Sequence, residues 1–327
     1  MNDSILLHLW LSKAFCFGSI MLSKIFKYYN GDILKFYDNL ETEVLKFKVS
    51  ETNLNKLRNK NLKDCENILE DCKKFNIKTV CYNDDLFPKR LKKIKSAPII
   101  LFYIGDLSIT FKPSVGIIGT RNCTTTAFSV AKEITKQLVC YDITTISGCA
   151  KGIDSAVHMQ TINYNGNTVA VLGTSLETAY PFEHLQLKKD IVQHNGLLIS
   201  EYPPKTKTAP WHFPIRNRII SALCDSLVVV QSREKSGTII TAKKALEFKK
   251  NLFFVPPFKH FDDEGRVIKK YLKKGAKLLF EISDLLKTFE NCEYKLKPKK
   301  IEEKKINKKT INLPENFKSL IKIIKNF

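Results

Sequence analysis

VGIIGTR (residues 115–121) is a short apolar run that closes on glycine, a small hydroxyl residue and arginine. A strand ending in this way brings bare backbone close to whatever lies beyond its carboxyl end. The same pattern recurs downstream: ISGCAKGID (146–154) closes an apolar run on Ser147 and Gly148, and VAVLG (169–173) closes one on Gly173. Eight of the thirteen glycines lie between Gly116 and Gly237, so the crowding belongs to this part of the chain. FPIRNRII (213–220) and SGTIITA (236–242) complete the set.

Outward from these motifs, strand and helix patterns alternate from residue 113 to about 280. Strands are expected at 115–118, 143–146, 168–172, 197–201, 226–230, 252–255 and 277–280, with helices between them, among them 129–139, 153–162, 218–223 and 239–248. Near-continuous apolar strands separated by helices imply a mostly parallel sheet covered on both faces, an α/β, Rossmann-like domain. Ligands of such sheets bind beyond the carboxyl ends of the strands. Gly119, Thr120, Arg121, Ser147, Gly148 and Gly173 should therefore open onto one edge. Ser236, Gly237 and Thr238 sit where a helix begins, and its unpaired amides and positive end suit an anion.

Residues 76–112 read as a leading extension of this domain, with β-rich runs at 77–82 and 99–103 around a basic turn. Residues 1–75 carry apolar positions at helical spacing and form a small helical module (sterile-alpha-motif or helix-hairpin-helix-like). The turn at Phe17, Gly18 and Ser19 between two apolar helices admits two readings, a DNA-backbone grip or a turn inside a packed bundle. Residues 291–327 hold eleven lysines and four glutamates. Their first part reads as a charged linker and their end as one short amphipathic helix.

The formal charge is +21, which suits an anionic partner. Of the 54 basic residues only seven are arginines, and three of these, Arg121, Arg216 and Arg218, fall inside the motifs. A guanidinium fork matches phosphate oxygens in a way an ammonium does not. Nine cysteines show no CxxC pair and read as thiols of a reducing compartment. The apolar start at 5–11 lacks a basic lead and is too short to span a membrane, so a cytoplasmic protein without membrane contact is expected.

Three chemistries compete. Gly116-x-x-Gly119 lacks the full dinucleotide fingerprint, and no acidic residue follows the second strand. Ser147, Asp154 and His158 could serve a hydrolase, but no nucleophile elbow is present and Asp154 stands where a helix would be capped. SGTIITAKKALE is superficially similar to the phosphate loop of nucleoside monophosphate phosphoribohydrolases, without the acidic residue after Gly-Thr. That enzyme remains the alternative.

Taken together, GIIGTR, SGCAKGID followed by His158, VAVLG with Tyr180-Pro181, SEYP (200–203), FPIRNRII and SGTIITA resemble the bacterial DNA-processing protein A (Smf) family, over about 82–276. The resemblance implies a non-enzymatic, sequence-independent single-stranded DNA binding protein of DNA uptake and natural transformation. Such a protein protects the incoming strand, loads the RecA recombinase and works as a homodimer without cofactor or metal. It also implies roles: Arg121, with the Gly119 and Thr120 backbone, on phosphate; Phe213 stacked on a base; Arg216 and Arg218 on the neighbouring phosphates. Ser147, Gly148, Lys151, Asn217, Ser236, Gly237 and Thr238 would complete the edge. The chain departs from the family at Gln231, usually acidic, and at Pro256-Pro257, usually Pro-Gly. It keeps at most the first helix of the winged-helix domain that ends many members.

Overall fold

The computed structural model describes residues 3–257 and 263–290, with the isolated positions 296 and 298. The expectations for the linker and helix beyond 290 lie outside the described residues. The chain opens with α1 (Asp3–Ala14), α2 (Ile20–Tyr28), α3 (Leu34–Asp38), α4 (Leu40–Glu43), α5 (Glu51–Arg58) and α6 (Lys63–Lys74). Then come β1 (Lys78–Cys81), α7 (Lys89–Lys92) and β2 (Ile100–Gly105). Regular alternation follows: β3 (Ser114–Ile118), α8 (Thr125–Cys140), β4 (Thr144–Ser147), α9 (Ile153–Asn163), β5 (Thr168–Leu172), α10 (Leu185–Gln193) and β6 (Leu197–Ser200). It continues through α11 (His212–Leu223), β7 (Ser226–Val229), α12 (Gly237–Glu247), β8 (Asn251–Phe254), α13 (Asp263–Leu272), β9 (Lys277–Leu278) and α14 (Ile282–Leu286). Every expected strand is present, with its ends shifted by at most two residues.

The strands form one sheet in the order β1-β2-β6-β5-β4-β3-β7-β8-β9. All pairs from β6 to β9 are parallel, and only β2 against β6 and β1 against β2 are antiparallel. The fold is thus α/β, Rossmann-like and mostly parallel. The chain winds outward from β3 through β4 and β5 to β6, then returns to lay β7 on the other side of β3. That reversal is the switch point at which open α/β sheets leave a crevice.

Side-chain alternation fixes the two faces. Leu227 and Val229 of β7 join Ile219, Ile220 and Leu223 of α11 in one layer, while Val228 and Val230 join Ala127 and Ala131 of α8 and Ile153 of α9 in the other. Burying each valine, leucine or isoleucine among them contributes roughly 1.5–3 kcal/mol. A one-residue slip of β7 would exchange the two sets, so the register is strongly specified. The N-terminal helices share a third cluster with the sheet: Leu11, Ile25, Phe26 and Phe36 group with Phe102, Leu172 and Leu198.

The turn between α1 and α2 is used in packing. The Ser19 hydroxyl caps α2 by accepting from the Leu22 N–H at 3.2 Å, and the Phe17 ring meets Tyr202 edge-on at 4.4 Å. Gly18 has φ +75°, and a Cβ there would lie 3.0 Å from both Arg218 Nε and Ile215. Its neighbour is α11.

That helix is the main departure from expectation. It begins at His212, six residues before the predicted start at Arg218, and takes Pro214 into its first turn. Proline reads as a breaker in sequence, but first-turn amides have no intrahelical acceptor, so its missing N–H costs nothing there. Asn217 is consequently inside the helix and does not cap it.

Candidate nucleic-acid interface

Helical periodicity decides what the FPIRNRII motif presents. Positions 213, 216, 217 and 220 share one face of α11, and Phe213, Arg216, Asn217 and Ile220 all line a cleft of about 280 Å³ at the switch point. Arg218, two residues past Arg216, points the other way with Ile215. Its Nη2 donates to both Glu201 carboxylate oxygens, at 2.6 and 2.7 Å, and the two side chains are 5% and 6% exposed. The expectation that Arg218 holds phosphate beside Phe213 is therefore corrected: a helix begun six residues earlier turns it inward.

The opposite wall of the cleft is the β3–α8 loop. Arg121 is exposed, and its guanidinium carbon lies 5.6 Å from the centroid of the half-buried Phe213 ring. Tyr180 also neighbours this ring, 5.4 Å from Phe213 between centroids and tilted by 36°. The loop is braced from behind, since the Thr120 N–H donates to the Gln231 carbonyl at 2.8 Å and the Gln231 side-chain oxygen accepts from the Thr124 N–H at 3.0 Å. Gly152, at φ +81°, is where this loop presses on the β4–α9 loop: a Cβ would come within 2.5 Å of the Thr120 and Arg121 carbonyls.

Beneath the platform the polar groups are internal. Asp154 accepts from the Gly148 and Ala150 N–H groups at 3.2 and 3.3 Å. Burial raises its pKa, opposed by the charge of Arg216. Arg216 donates to the carbonyls of Gly148, at 2.8 Å, and Val171. A side chain on Gly148 would collide with both charges, 2.8 Å from each. Arg216 is 5% exposed, so most of its donors serve the scaffold. Ser147 is fully buried and donates to the Ile117 carbonyl at 2.7 Å.

These bonds also dispose of the hydrolase grouping. His158 Nδ1 is bonded to the Thr168 hydroxyl at 2.7 Å and not to Ser147 or Asp154. Burial pushes its pKa down to about 3, leaving it neutral in the core.

The far end of the cleft is the start of α12. Ser236 is its N-cap without a side-chain cap bond, and its hydroxyl is buried and unpartnered among the described residues. Asn217 Nδ2 donates to the Gly237 carbonyl at 3.2 Å, tying α12 to α11. Gly237 is exposed, and its Cβ position has only that amide within 4 Å. Thr238 is buried just behind it. The structure thus gathers Gly119, Thr120, Arg121, Phe213, Arg216, Asn217, Ser236, Gly237 and Thr238 around one cleft. Lys151 is exposed at the neighbouring pocket, where it pairs with Glu183 at 2.6 Å.

Sequence reading passed over Arg233, exposed on the β7–α12 loop and lining the same cleft. Scarcity of arginine was the signal that could have found it. Tyr180 was quoted only as part of a motif, and the exposed Trp211, 65% accessible, gave no pattern at all.

The fold class is an open, doubly wound α/β sheet, and its switch point brings together an exposed guanidinium, an aromatic ring and a helix start, a set of groups whose chemistry suits a phosphate-bearing ligand. A family model described as DNA recombination-mediator protein A matches residues 78–290, and the chain belongs to that family. The DNA processing protein DprA of Bacillus subtilis (strain 168) is 37% identical over 219 residues, 67% of this chain and 73% of that protein. The X-ray structure of DNA processing protein A from Streptococcus pneumoniae superimposes with a TM-score of 0.73 at 27% identity, covering 88% of this chain and 97% of that one. DNA processing protein A from Helicobacter pylori, described for its unique single-stranded DNA binding mode, gives a TM-score of 0.57 at 27% identity, covering 65% and 95%.

Proposed function

We propose that this chain binds single-stranded DNA at the carboxyl edge of its sheet, without sequence preference and without catalysis, as a cytoplasmic DNA-processing protein of transformation. The observation that carries the reading is Arg121 set over the Phe213 ring beside the open start of α12. Phosphate neutralisation supplies affinity regardless of sequence, and an aromatic face accepts any base. Arg121 and Arg233 take backbone phosphates, the amides of Gly119, Gly237 and Thr238 add neutral donors, Thr120 holds the loop in place through its bond to Gln231, and Phe213 with Tyr180 stacks a base. Lys151 extends the track. Arg216, Asn217, Gly148, Ser147 and Ser236 shape the edge from behind.

By the same reading the bound strand is protected and passed to the RecA recombinase by a homodimer. Residues 1–75 act as a helical module, 76–290 as the DNA-binding core and 291–327 as a basic extension.

The test is binding of labelled oligo-dT and matching duplex over a range of salt concentrations, by the wild type and by Arg121→Ala. Preference for the single strand, a steep salt slope and roughly tenfold weakening in the variant are expected, the loss of one charge-assisted contact. Equal binding of duplex with no effect of the variant would move the function to the lysine-rich surface. Hydrolysis of nucleoside monophosphates in place of DNA binding would establish the phosphoribohydrolase alternative.

A further inference from the structure

A second groove, of about 310 Å³, lies away from the switch point, between α8 and the segments that follow β8 and β9. Its floor is apolar: Val130 and Ile134 of α8, Leu279 and Phe280 after β9, and Ile282 of α14. Val130, Ile134, Phe280 and Ile282 are only half-buried, although Val130, Ile134 and Ile282 adjoin one of the main core layers. Two exposed carboxylates, Glu133 and Glu281, stand on its rim.

The chain itself points to an occupant. The last continuous described residues, Lys287–Phe289 and Glu290, directly follow α14, and Leu296 packs against the same core layer as Val130, Ile134 and Ile282. Leu296 thus lies on this side of the sheet. Residues 295–309 are dense in lysine, opposite in charge to the rim. After them Leu313, Phe317, Leu320, Ile324 and Phe327 recur at spacings of four and three, the repeat of a single apolar seam on a helix. Pro314 stands near the head of that repeat, where a helix accepts it.

We propose that residues 313–327 dock their apolar seam into this groove in cis. The seam buries side chains that residues 313–327 cannot bury alone, and the groove buries half-exposed aliphatics of α8 and α14. The 16 residues between Leu296 and Leu313 span roughly 50 Å when extended, so reach is no obstacle. Tethering of this kind gives an effective concentration on the order of millimolar, enough for a modest apolar contact to be occupied. The lysine run would lie over Glu133 and Glu281 on the way in.

The test uses the full chain with the photo-crosslinker p-benzoylphenylalanine in place of Phe317, prepared as an equal mixture of isotopically heavy and light protein. Irradiation should give crosslinks to residues 130–137 or 279–283 within one isotopic chain. Ile134→Asp should lower their yield about tenfold, and the exposed pair Glu133→Lys with Glu281→Lys should lower it without any change in thermal unfolding. Crosslinks scattered over the surface, or yields indifferent to both variants, would overturn the proposal. Crosslinks joining only heavy to light chains would overturn the cis arrangement and make the groove a contact between copies.

Discussion

The β3–α8 loop and the first two turns of α11 both present arginines from short motifs, yet the fold uses them in opposite ways. Arg121 leaves the loop into solvent, with the Phe213 ring beneath it. Arg216 and Arg218 lie inside, one holding the carbonyls of Gly148 and Val171 and the other paired with Glu201. The difference comes from backbone type. A loop at a strand end can aim a side chain outward, whereas a helix packed on two sides sends residues two apart to opposite walls. Residue type announces capacity for phosphate, and local geometry decides whether that capacity is available.

The sharpest way to break this comparison is Arg218→Ala. It leaves the Glu201 carboxylate buried without its partner and should cost about 3–5 kcal/mol of folding stability, read by denaturant unfolding. Replacing both partners, Arg218→Met with Glu201→Leu, should recover most of that loss. A single variant that keeps its stability but loses DNA affinity would show Arg218 to be a DNA contact after all. Next in size is Phe213→Ala, expected to weaken oligo-dT binding by about 1–3 kcal/mol, the worth of one stacked base. Phe213→Tyr should leave that binding nearly unchanged.

His158 extends the contrast to acid. Its folded pKa is depressed to about 3 from 6.5, so between those values the unfolded chain takes up a proton that the folded one refuses. Stability due to the buried neutral ring is therefore complete above pH 6.5 and is lost as pH falls toward 3, by about 1.4 kcal/mol per pH unit. His158→Gln should flatten that slope in denaturant titrations at successive pH values. An unchanged slope would assign the acid sensitivity to other groups. The smallest effect is expected from Arg233→Ala: affinity lowered by about 1 kcal/mol at low salt, and a log–log salt slope shallower by about 0.7 for a single strand. An unaltered slope would remove Arg233 from the track.

The strands and the edge were legible because both are written locally. Val169, Ala170, Val171 and Leu172 form a continuous apolar run that only a strand covered on both faces can hide, and glycine at a strand's end limits what can follow. The start of α11 was not legible, because Pro214 is a breaker in mid-helix and harmless in a first turn, and only the packed helix shows which applies. The burial of Arg218 followed from that boundary, the exposure of Arg121 from the β3–α8 loop and the recruitment of Arg233 from the path of the β7–α12 loop. By itself, then, the sequence determined a mostly parallel α/β sheet and marked an edge whose chemistry suits anions, since continuous apolar runs and turn chemistry are properties of neighbours along the chain. Which arginines face that edge was decided only by the tertiary structure. Side-chain direction depends on where a helix begins and on what packs against its two sides, and those partners, Glu201 and Gly18 among them, are distant in sequence.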